Sequence, residues 1–308
     1  MHVLAALLAI VSAVVPTRNW YAPSQPLTVD VKSEGEAKLV LTDFNGTALE
    51  PKVPSGAEIS GDKTVDLKGV YEEASRPGTY ILYVVPKGKT TDQFTGTPWV
   101  IEVRSEKRGG GPADAVVTRV RPLEYAVMTT DKGPLTMVFY FDVAPITSES
   151  FLHLSRTGYY DGLTFHRIVP GFVIQGGDPK GDGTGGPGYN VQAEFNDKKH
   201  EPGVLSMARQ GDPNERAGAM PRAEYANSAG SQFFVCLDYK STVHLDHKYT
   251  AFGKVVSGMD AVNAIAAAPI ADPANGKPQS PQLIQKVEVK PVTATDNPYA
   301  EMMGLKKK

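Results

Sequence analysis

Three glycines at positions 181, 183 and 186 have the G-x-G-x-x-G spacing. That spacing binds the pyrophosphate of a dinucleotide when a strand precedes it and a helix follows. The flanking residues exclude this arrangement: Gly176–Pro179 upstream reads as a turn, and Pro187 with Gly188 downstream would stop a helix in its first turn. The glycines therefore serve another purpose, which the surrounding residues must identify.

Other polar residues offer weaker candidates for catalysis. His244 and His247 flank Asp246 in an H-x-x-H pattern, which is too little for a metal site without a helix and a third ligand. Cys236, the single cysteine, excludes an internal disulfide and a Cys-based metal site, and its apolar neighbours indicate a buried small hydrophobe. Ser231 has no G-x-S-x-G elbow around it. We therefore expect neither a metal nor a cofactor.

Four segments around the loop occur in a characteristic order. They are FHRIVPGFVIQGGD (165–178), GVLSMAR (203–209), NSAGSQFFV (227–235) and HLDHKYTAFGKV (244–255). In this order they resemble the signature segments of the cyclophilin-type peptidyl-prolyl cis-trans isomerases, and most of all those of the bacterial members. The resemblance covers about Tyr125–Val292 and none of the chain before it.

The resemblance implies that the protein rotates X–Pro peptide bonds. Partial double-bond character gives this rotation a barrier of about 18–20 kcal/mol. A site that lowers the barrier must hold the proline ring and favour the twisted amide, whose nitrogen regains a lone pair and can accept a hydrogen bond. Arg167 matches the family's catalytic arginine, and a guanidinium is a permanently charged donor suited to that nitrogen. No proton is transferred, so we expect the adjacent His166 to be structural.

Further positions match the family's substrate groove, and the resemblance implies their roles. The matched residues are Phe172, Val173, Phe234 and Leu245 for the apolar proline pocket, Gln175 for the glutamine that orients the arginine, Ala208 and Arg209 for the pair whose backbone binds the residue before proline, and Gln232, His244 and Tyr249 for positions beside the pocket. The glycine loop would border the groove for residues preceding the proline, where glycine lets backbone approach a peptide closely.

Two features depart from the family's pattern. His244 stands where eukaryotic members often have a tryptophan that contributes to binding cyclosporin, so we expect weak binding of that drug. The segment 210–226, QGDPNERAGAMPRAEYA, makes the chain longer here than the family usually is. Its glycine, proline and charge predict an exposed loop. We expect it to form part of the wall of the pocket for residues before the proline; an inert surface insertion is the alternative.

The elements that must position these residues are mostly strands. Two strands, Tyr125–Thr129 and Leu135–Phe141, form a hairpin, and Leu283–Val289 reads as a closing strand. ITSESFLHLSRTGYY reads as a helix that Thr147 or Ser148 caps and Gly158 ends, and Met259–Ala268 as a second helix. Together with the resemblance, these elements predict that 114–292 forms a closed antiparallel eight-stranded β-barrel capped by two helices.

The chain before this domain also reads as β structure. Short strands are predicted at Leu27–Val31, Ala37–Thr42, Thr64–Tyr71, Thr79–Val85 and Trp99–Val103. Turn residues separate them, which predicts a small Ig-like β-sandwich over 17–104. The glycine-rich 105–113 reads as an interdomain linker, and 293–308, which ends in three lysines, as a solvated tail. The whole protein is thus expected to be mainly β.

The first 15 residues form a separate segment with an apolar run, Val3–Val15. The run is too short to span a bilayer and fits a secretory signal with Val11–Ala13 as its cleavage site. A basic region before the run is missing, so an uncleaved anchor and a buried segment are the alternatives. We expect export to a bacterial periplasm or cell envelope, and a cytoplasmic protein if the segment is not a signal.

The composition and net charge limit which classes of partner the sequence predicts. With 308 residues, 41% hydrophobic residues and a net charge of −2, the chain gives no electrostatic reason to bind nucleic acid or an anionic membrane. The expected substrates are proline-containing peptides and unfolded proteins, whose folding the isomerase would assist. The alternatives are a proline-segment binding module or chaperone with little turnover, and an interaction protein docked on an envelope partner through the N-terminal domain.

Overall fold

The computed structural model describes residues 14–22, 25–33, 35–106, 115–216 and 219–305. The chain divides into two compact units: the first combines Met1–Leu123 with Pro291–Lys308, and the second is Glu124–Lys290. Both are built mainly from antiparallel strands, so the prediction of a mainly β protein is confirmed.

The first unit contains two antiparallel sheets. Its elements are β1 (Val14–Pro16), β2 (Trp20–Tyr21), β3 (Thr28–Val31), β4 (Glu36–Asp43), a 3-10 turn (Pro54–Gly56), β5 (Glu58–Ser60), β6 (Lys63–Asp66), α1 (Leu67–Val70), a 3-10 turn (Glu73–Ser75), β7 (Gly78–Pro86), a 3-10 turn (Thr91–Gln93), β8 (Thr95–Glu106) and β9 (Ala115–Pro122). The strand orders are β1-β3-β6 and β2-β9-β8-β7-β4-β5. Buried apolar side chains of both sheets, such as Val29, Val65, Leu82 and Ile101, form one core.

Two predictions for this unit were wrong. The strand expected over Thr64–Tyr71 ends at Asp66, because the Asp66 carboxylate caps helix α1 by accepting a hydrogen bond from the Lys68 amide. The predicted linker 105–113, of which 107–113 lie outside the described residues, does not separate the units, because β8 pairs with β9 up to Glu106 opposite Ala115. Both strands belong to the first unit, and the units divide after Leu123.

The segment after Pro291 is not the solvated tail that its lysines suggested. Tyr299 and Met303 are buried. The ring of Tyr299 meets Phe44 edge-on at 6.5 Å, and the Tyr83 hydroxyl donates to the Met303 sulfur at 3.5 Å. Apolar residues of the tail therefore complete the first unit.

The second unit is built on an eight-stranded sheet. Its elements are β10 (Glu124–Thr130), β11 (Gly133–Phe139), α2 (Pro145–Arg156), β12 (Arg167–Val169), β13 (Val173–Gly176), β14 (Val204–Met207), α3 (Ala223–Ala226), β15 (Phe233–Cys236), α4 (Tyr239–Thr242), a 3-10 turn (Val243–Leu245), β16 (Ala251–Ser257), α5 (Met259–Ala266), β17 (Ile270–Asp272), β18 (Lys277–Pro278) and β19 (Ile284–Pro291). The strand order is β12-β13-β15-β14-β16-β11-β10-β19. An isolated antiparallel bridge, Thr164 with Leu283, joins the residues that precede the two edge strands.

Helix α2 begins earlier than predicted. Thr147 and Ser148, the expected caps, are buried inside the helix, and Pro145 is its first residue. Glu194, distant in sequence, accepts hydrogen bonds from the Ile146 amide at 3.0 Å and the Thr147 amide at 2.8 Å. A carboxylate at this end satisfies exposed amides and the helix dipole. At the other end Gly158 has a φ of +72°, which confirms its predicted place after the last turn.

The predicted signal peptide or anchor, residues 1–15, lies outside the described residues up to Ala13. Val14, the first described residue, is buried in β1 and pairs with Val31. Among the described residues, no helix has the length and apolarity needed to cross a membrane.

Candidate active site

A row of directly opposed residues crosses the sheet of the second unit. Arg167 on β12 is opposite Gln175 on β13, and Gln175 is opposite Phe234 on β15. Ser206 on β14 is in turn opposite Phe234. Opposed residues of neighbouring strands project from the same face of a sheet. The predicted catalytic arginine, its glutamine and a phenylalanine of the predicted pocket therefore share one face.

An apolar cluster lies on the same face. Its buried members are Val173, Val204, Phe234, Cys236, Leu245 and Ala251, and Phe172, Ala208 and Tyr249 pack against it partly buried. The ring of Tyr249 meets Phe234 at 5.9 Å and an interplanar angle of 72°. The structure thus brings all the residues predicted for the proline pocket into one cluster.

A chain of side-chain amides holds Arg167. The Arg167 Nη1 donates to Oε1 of Gln175 at 3.3 Å, and Nε2 of Gln175 donates to Oε1 of Gln232 at 3.0 Å. Nε2 of Gln232 then donates to the carbonyls of Gly183 at 3.0 Å and Gly185 at 2.8 Å. Gln175 therefore orients the guanidinium, and Gln232 connects it to the glycine loop.

The glycine loop folds around a carboxylate of the protein itself. Buried Asp178 accepts hydrogen bonds from the amides of Lys180 at 2.8 Å, Asp182 at 3.1 Å and Gly183 at 2.5 Å. A Cβ on Gly185 would lie 2.0 Å from Oδ1 of Asp178, so only glycine lets the loop close this tightly. The amides of Lys180, Asp182 and Gly183 are bound to Asp178 and are therefore not available to a phosphate.

A groove of about 780 Å³ lies beside this loop. Its lining residues are Gln175, Lys180, Gly183, Thr184, Gly185, Gly186, Pro187, Gly188, Tyr189, Asn190, Ala208, Arg209, Gln210, Ser228, Gly230, Ser231 and Gln232. Gln175, Ala208 and Gln232 place it next to the apolar cluster. Among the described residues of the insertion 210–226, Gln210 lines the groove, and the expectation that the insertion forms part of its wall stays a prediction.

Ala208 and Arg209 follow β14 at the border of cluster and groove. The Ala208 amide donates to the Gln232 carbonyl at 3.0 Å. The Arg209 side chain is buried, with its guanidinium 4.3 Å from the centre of the Tyr249 ring. Arg209 thus places a buried cation against Tyr249 at the edge of the apolar cluster.

His244 and His247 have separate surroundings. The His244 ring stacks on Phe172 at 5.6 Å and an angle of 14°, at the edge of the apolar cluster. Nδ1 of His247 instead lies 3.2 Å from Oδ1 of Asp197. Within the described ranges, no group of three or more His, Cys, Asp or Glu side chains could hold a metal ion. The weak cyclosporin binding expected from His244 stays a prediction.

Two histidines of this unit, the partly buried His166 and the fully buried His200, have lowered pKa values. Burial lowers the pKa of His166, and the Asp178 charge opposes this only in part. Burial also lowers the pKa of His200, whose Nδ1 is 3.0 Å from Asp246 and whose Nε2 is 3.0 Å from the Ser206 hydroxyl. This Ser–His–Asp line has no exposed nucleophile, because His200 and Ser206 are both fully buried.

Sequence reasoning missed Asp178, His200 and Glu215. Asp178 could have been found, because an aspartate before a glycine-rich loop often accepts hydrogen bonds from the following amides. His200 lies outside the matched motifs, and Glu215, which bonds to Arg209 at 2.9 Å, lies in the unmatched insertion. Nothing in their spacing indicates these contacts.

Comparison with known families agrees with this geometry. The family described as "Cyclophilin type peptidyl-prolyl cis-trans isomerase/CLD" matches residues 125–289, more than half of the chain. A peptidyl-prolyl cis-trans isomerase of Synechococcus elongatus is 45% identical over 129 residues, which cover 42% of this chain and 78% of that protein. Peptidyl-prolyl cis-trans isomerase B of Bacillus subtilis is 42% identical over 132 residues, covering 42% of this chain and 81% of the relative.

Some similar proteins are much longer than the matched region. Peptidyl-prolyl cis-trans isomerase-like 2 of Cryptococcus neoformans is 36% identical over 188 residues, but the match spans only 29% of it. Among solved structures, a cyclophilin-type isomerase of Cryptosporidium parvum is similar with a TM-score of 0.48 and 30% identity. That similarity covers 55% of this chain and 99% of the other.

Proposed function

The chain belongs to the cyclophilin-type peptidyl-prolyl cis-trans isomerases, and we propose that Arg167 is the residue with which it stabilises the twisted X–Pro bond. The observation that carries this assignment is the row Arg167–Gln175–Phe234, which sets a held guanidinium beside an apolar pocket. Gln175 accepts a hydrogen bond from one of the five N–H donors of the guanidinium. This bond fixes the orientation of the guanidinium and leaves other donors for the substrate.

The proposed mechanism needs only a bound proline segment and one hydrogen-bond donor aimed at the prolyl nitrogen. The apolar cluster around Phe234 holds the proline ring, and the backbone beyond Ala208 together with the groove holds the preceding residues. As the amide twists, its nitrogen gains a lone pair, to which the Arg167 guanidinium donates. This charge-assisted hydrogen bond exists in the twisted state and not in the planar one, so it lowers the barrier.

The test is cis-trans exchange of a short Ala-Pro peptide, measured by NMR with wild type and Arg167→Ala. We expect the variant to lose about 100-fold in rate, the usual cost of removing one preorganised donor. Arg156→Ala is the matched control, since Arg156 lies on α2 and pairs with Glu149. Exchange that survives in Arg167→Ala would refute the assignment. Peptide binding without acceleration by wild type would indicate a binding module.

The finer architecture is also proposed. The eight-stranded sheet closes into a barrel, which is supported by hydrogen bonds from the Ile284 amide to the Leu163 carbonyl at 2.8 Å and from the Phe165 amide to the Gln282 carbonyl at 2.9 Å. The two sheets of the first unit and the apolar cluster to which both contribute support an Ig-like sandwich. Slow hydrogen exchange at the Ile284 and Phe165 amides would support closure, and fast exchange would contradict it.

Export to a bacterial envelope is proposed on the N-terminal sequence. The small residues Val11–Ala13 directly precede Val14, where β1 begins. Removal of 13 residues would thus leave the strand intact. In that compartment the substrates would be proline-containing segments of unfolded proteins. Mass spectrometry of the protein from its own cells should find Val14 as the first residue, and a retained Met1 would contradict cleavage.

A further inference from the structure

The insertion 210–226 has an ordered base. The buried Asp212 carboxylate accepts hydrogen bonds from the Arg222 amide at 3.0 Å, from its Nη2 at 2.9 Å and from the Asn214 amide at 2.9 Å. The Glu215 amide donates to the Asp212 carbonyl at 3.0 Å. This clamp fixes the turn that carries Glu215.

Glu215 contacts a residue at the proline pocket. Its Oε2 accepts from Nη2 of Arg209 at 2.9 Å. The other donors of Arg209 bind backbone carbonyls, Nε that of Lys248 at 3.2 Å and Nη1 that of Gln210 at 3.0 Å. These hydrogen bonds fix the orientation of the Arg209 guanidinium, which lies against the Tyr249 ring.

Glu215 differs from the other partners of Arg209 because it carries a negative charge. The Arg209 side chain is 2% exposed, and a buried cation needs a counter-charge. Among the described residues, Glu215 is the carboxylate within ion-pair distance of Arg209, and its other oxygen lies 3.4 Å from Lys248. Burial alone would raise the pKa of Glu215, but the hydrogen bonds and charges of Arg209 and Lys248 lower it. Glu215 is therefore ionised at neutral pH.

Tyr249 is held from two sides. Arg209 covers a face of its ring at 4.3 Å, and Phe234 meets it at a steep angle. Moving the guanidinium would free Tyr249 to shift relative to Phe234, and the apolar cluster that both belong to would lose its shape.

We propose that Glu215 is a positioning residue for the proline pocket: it holds the Arg209 guanidinium against Tyr249 and so fixes the ring that borders the proline. The turn of the insertion that carries Glu215 then acts as a brace behind the pocket. This inference rests on the proposed function of the pocket.

The first test is the kinetics of Glu215→Gln, which keeps the shape and removes the charge. In this proposal Tyr249 touches the proline ring in the planar and the twisted state alike. Displacing Tyr249 should therefore weaken peptide binding without changing the rate of the bound peptide. We expect KM for an Ala-Pro peptide to rise about fivefold with kcat nearly unchanged, a modest coupling for contacting residues. Glu224→Gln is the matched control, because Glu224 lies in the same insertion, is exposed and pairs with Arg222 at 3.0 Å. Its KM should equal that of wild type.

The second test shows whether Glu215 acts through Tyr249. In a Tyr249→Leu background the ring is absent, so adding Glu215→Gln should leave KM unchanged. An equal rise in both backgrounds, or a Glu215→Gln KM equal to that of Glu224→Gln, would overturn the proposal, even if Glu215→Gln lowers the melting temperature. These outcomes leave the proposed function intact, because that function fails only if wild type does not accelerate exchange or Arg167→Ala still does.

Discussion

Gly185 and Gly186 are neighbours in one loop, but their surroundings differ. A Cβ on Gly185 would lie 2.0 Å from Oδ1 of Asp178 and 3.0 Å from the Lys180 amide nitrogen, whereas a Cβ on Gly186 would have nothing within 4 Å. The requirement for glycine therefore follows from how closely a carboxylate approaches. A motif that counts glycines cannot distinguish the two positions.

Gly185→Ala should lower the free energy of unfolding by about 1–3 kcal/mol, since Asp178 must give up hydrogen bonds to make room. Gly186→Ala should leave it unchanged, because the methyl group enters open space. Urea denaturation of both variants and wild type measures the difference. Equal stabilities for the two variants would show that Asp178 moves without loss.

Side chains alternate between the two faces of a strand, which explains how strands of four residues can position several side chains of the candidate site. On β13 and β15, Val173, Gln175 and Phe234 belong to the site face, and Ile174 and Val235 alternate with them. The connections between strands are held by buried polar residues instead. His200, in the connection between β13 and β14, binds the connection between β15 and β16 and also strand β14. Its amide donates to Asp246, its carbonyl accepts from Thr242, and its ring contacts Ser206 on β14.

Stability should fall as the pH drops below the ordinary pKa of histidine, about 6.5. Burial lowers the pKa of His200 in the folded state, so the unfolded chain takes up a proton that the folded chain does not. The stabilising effect is thus complete above that pH and is lost as the pH falls toward the folded pKa, at up to about 1.4 kcal/mol per pH unit. Urea denaturation at pH 7.5 and 5.5 should show a smaller difference for His200→Gln than for wild type. The same difference in both would contradict this role, since His166 alone would then account for it.

The order of the units along the chain has consequences for the whole molecule. Glu124–Lys290 is continuous, whereas the first unit takes chain from both sides of it. The Val292 amide donates to the Leu123 carbonyl at 3.0 Å, so the two crossing points of the chain are neighbours. The isomerase unit is therefore an insertion in the first unit, in which Tyr299 and Met303 from beyond the insertion are buried beside Phe44 and Tyr83.

Gly46→Ala should destabilise the first unit by displacing the tail. A Cβ on Gly46, whose φ is +88°, would lie 1.9 Å from the Met303 carbonyl oxygen. Gly88→Ala is the matched control, with a φ of +78° and nothing within 4 Å. Calorimetry should show a loss for Gly46→Ala that exceeds that of Gly88→Ala by about 2 kcal/mol, the worth of one large buried side chain. Equal losses would mean that backbone strain alone explains both.

Much of the fold and the site could be predicted because their signals are local. Most strands follow from alternating runs between turn residues. The resemblance to the family's motifs identified Arg167, Gln175 and Phe234, which the structure places in one row. The failures share one cause. The cap at Thr147 or Ser148, the linker at 105–113 and the solvated tail were each judged from neighbouring residues, while distant ones decide all three.

The sequence by itself determined the β character, the family and the identities of the groups that could hold a proline and donate to its nitrogen. The β character depends on local periodicity, and the family and the candidate groups follow from the resemblance of short segments to the family's motifs. Only the tertiary structure decided that Glu194 caps α2, that Asp178 closes the glycine loop and that Glu215 reaches Arg209 behind Tyr249. Such contacts form where packed elements approach each other, and no local pattern in the sequence records that approach.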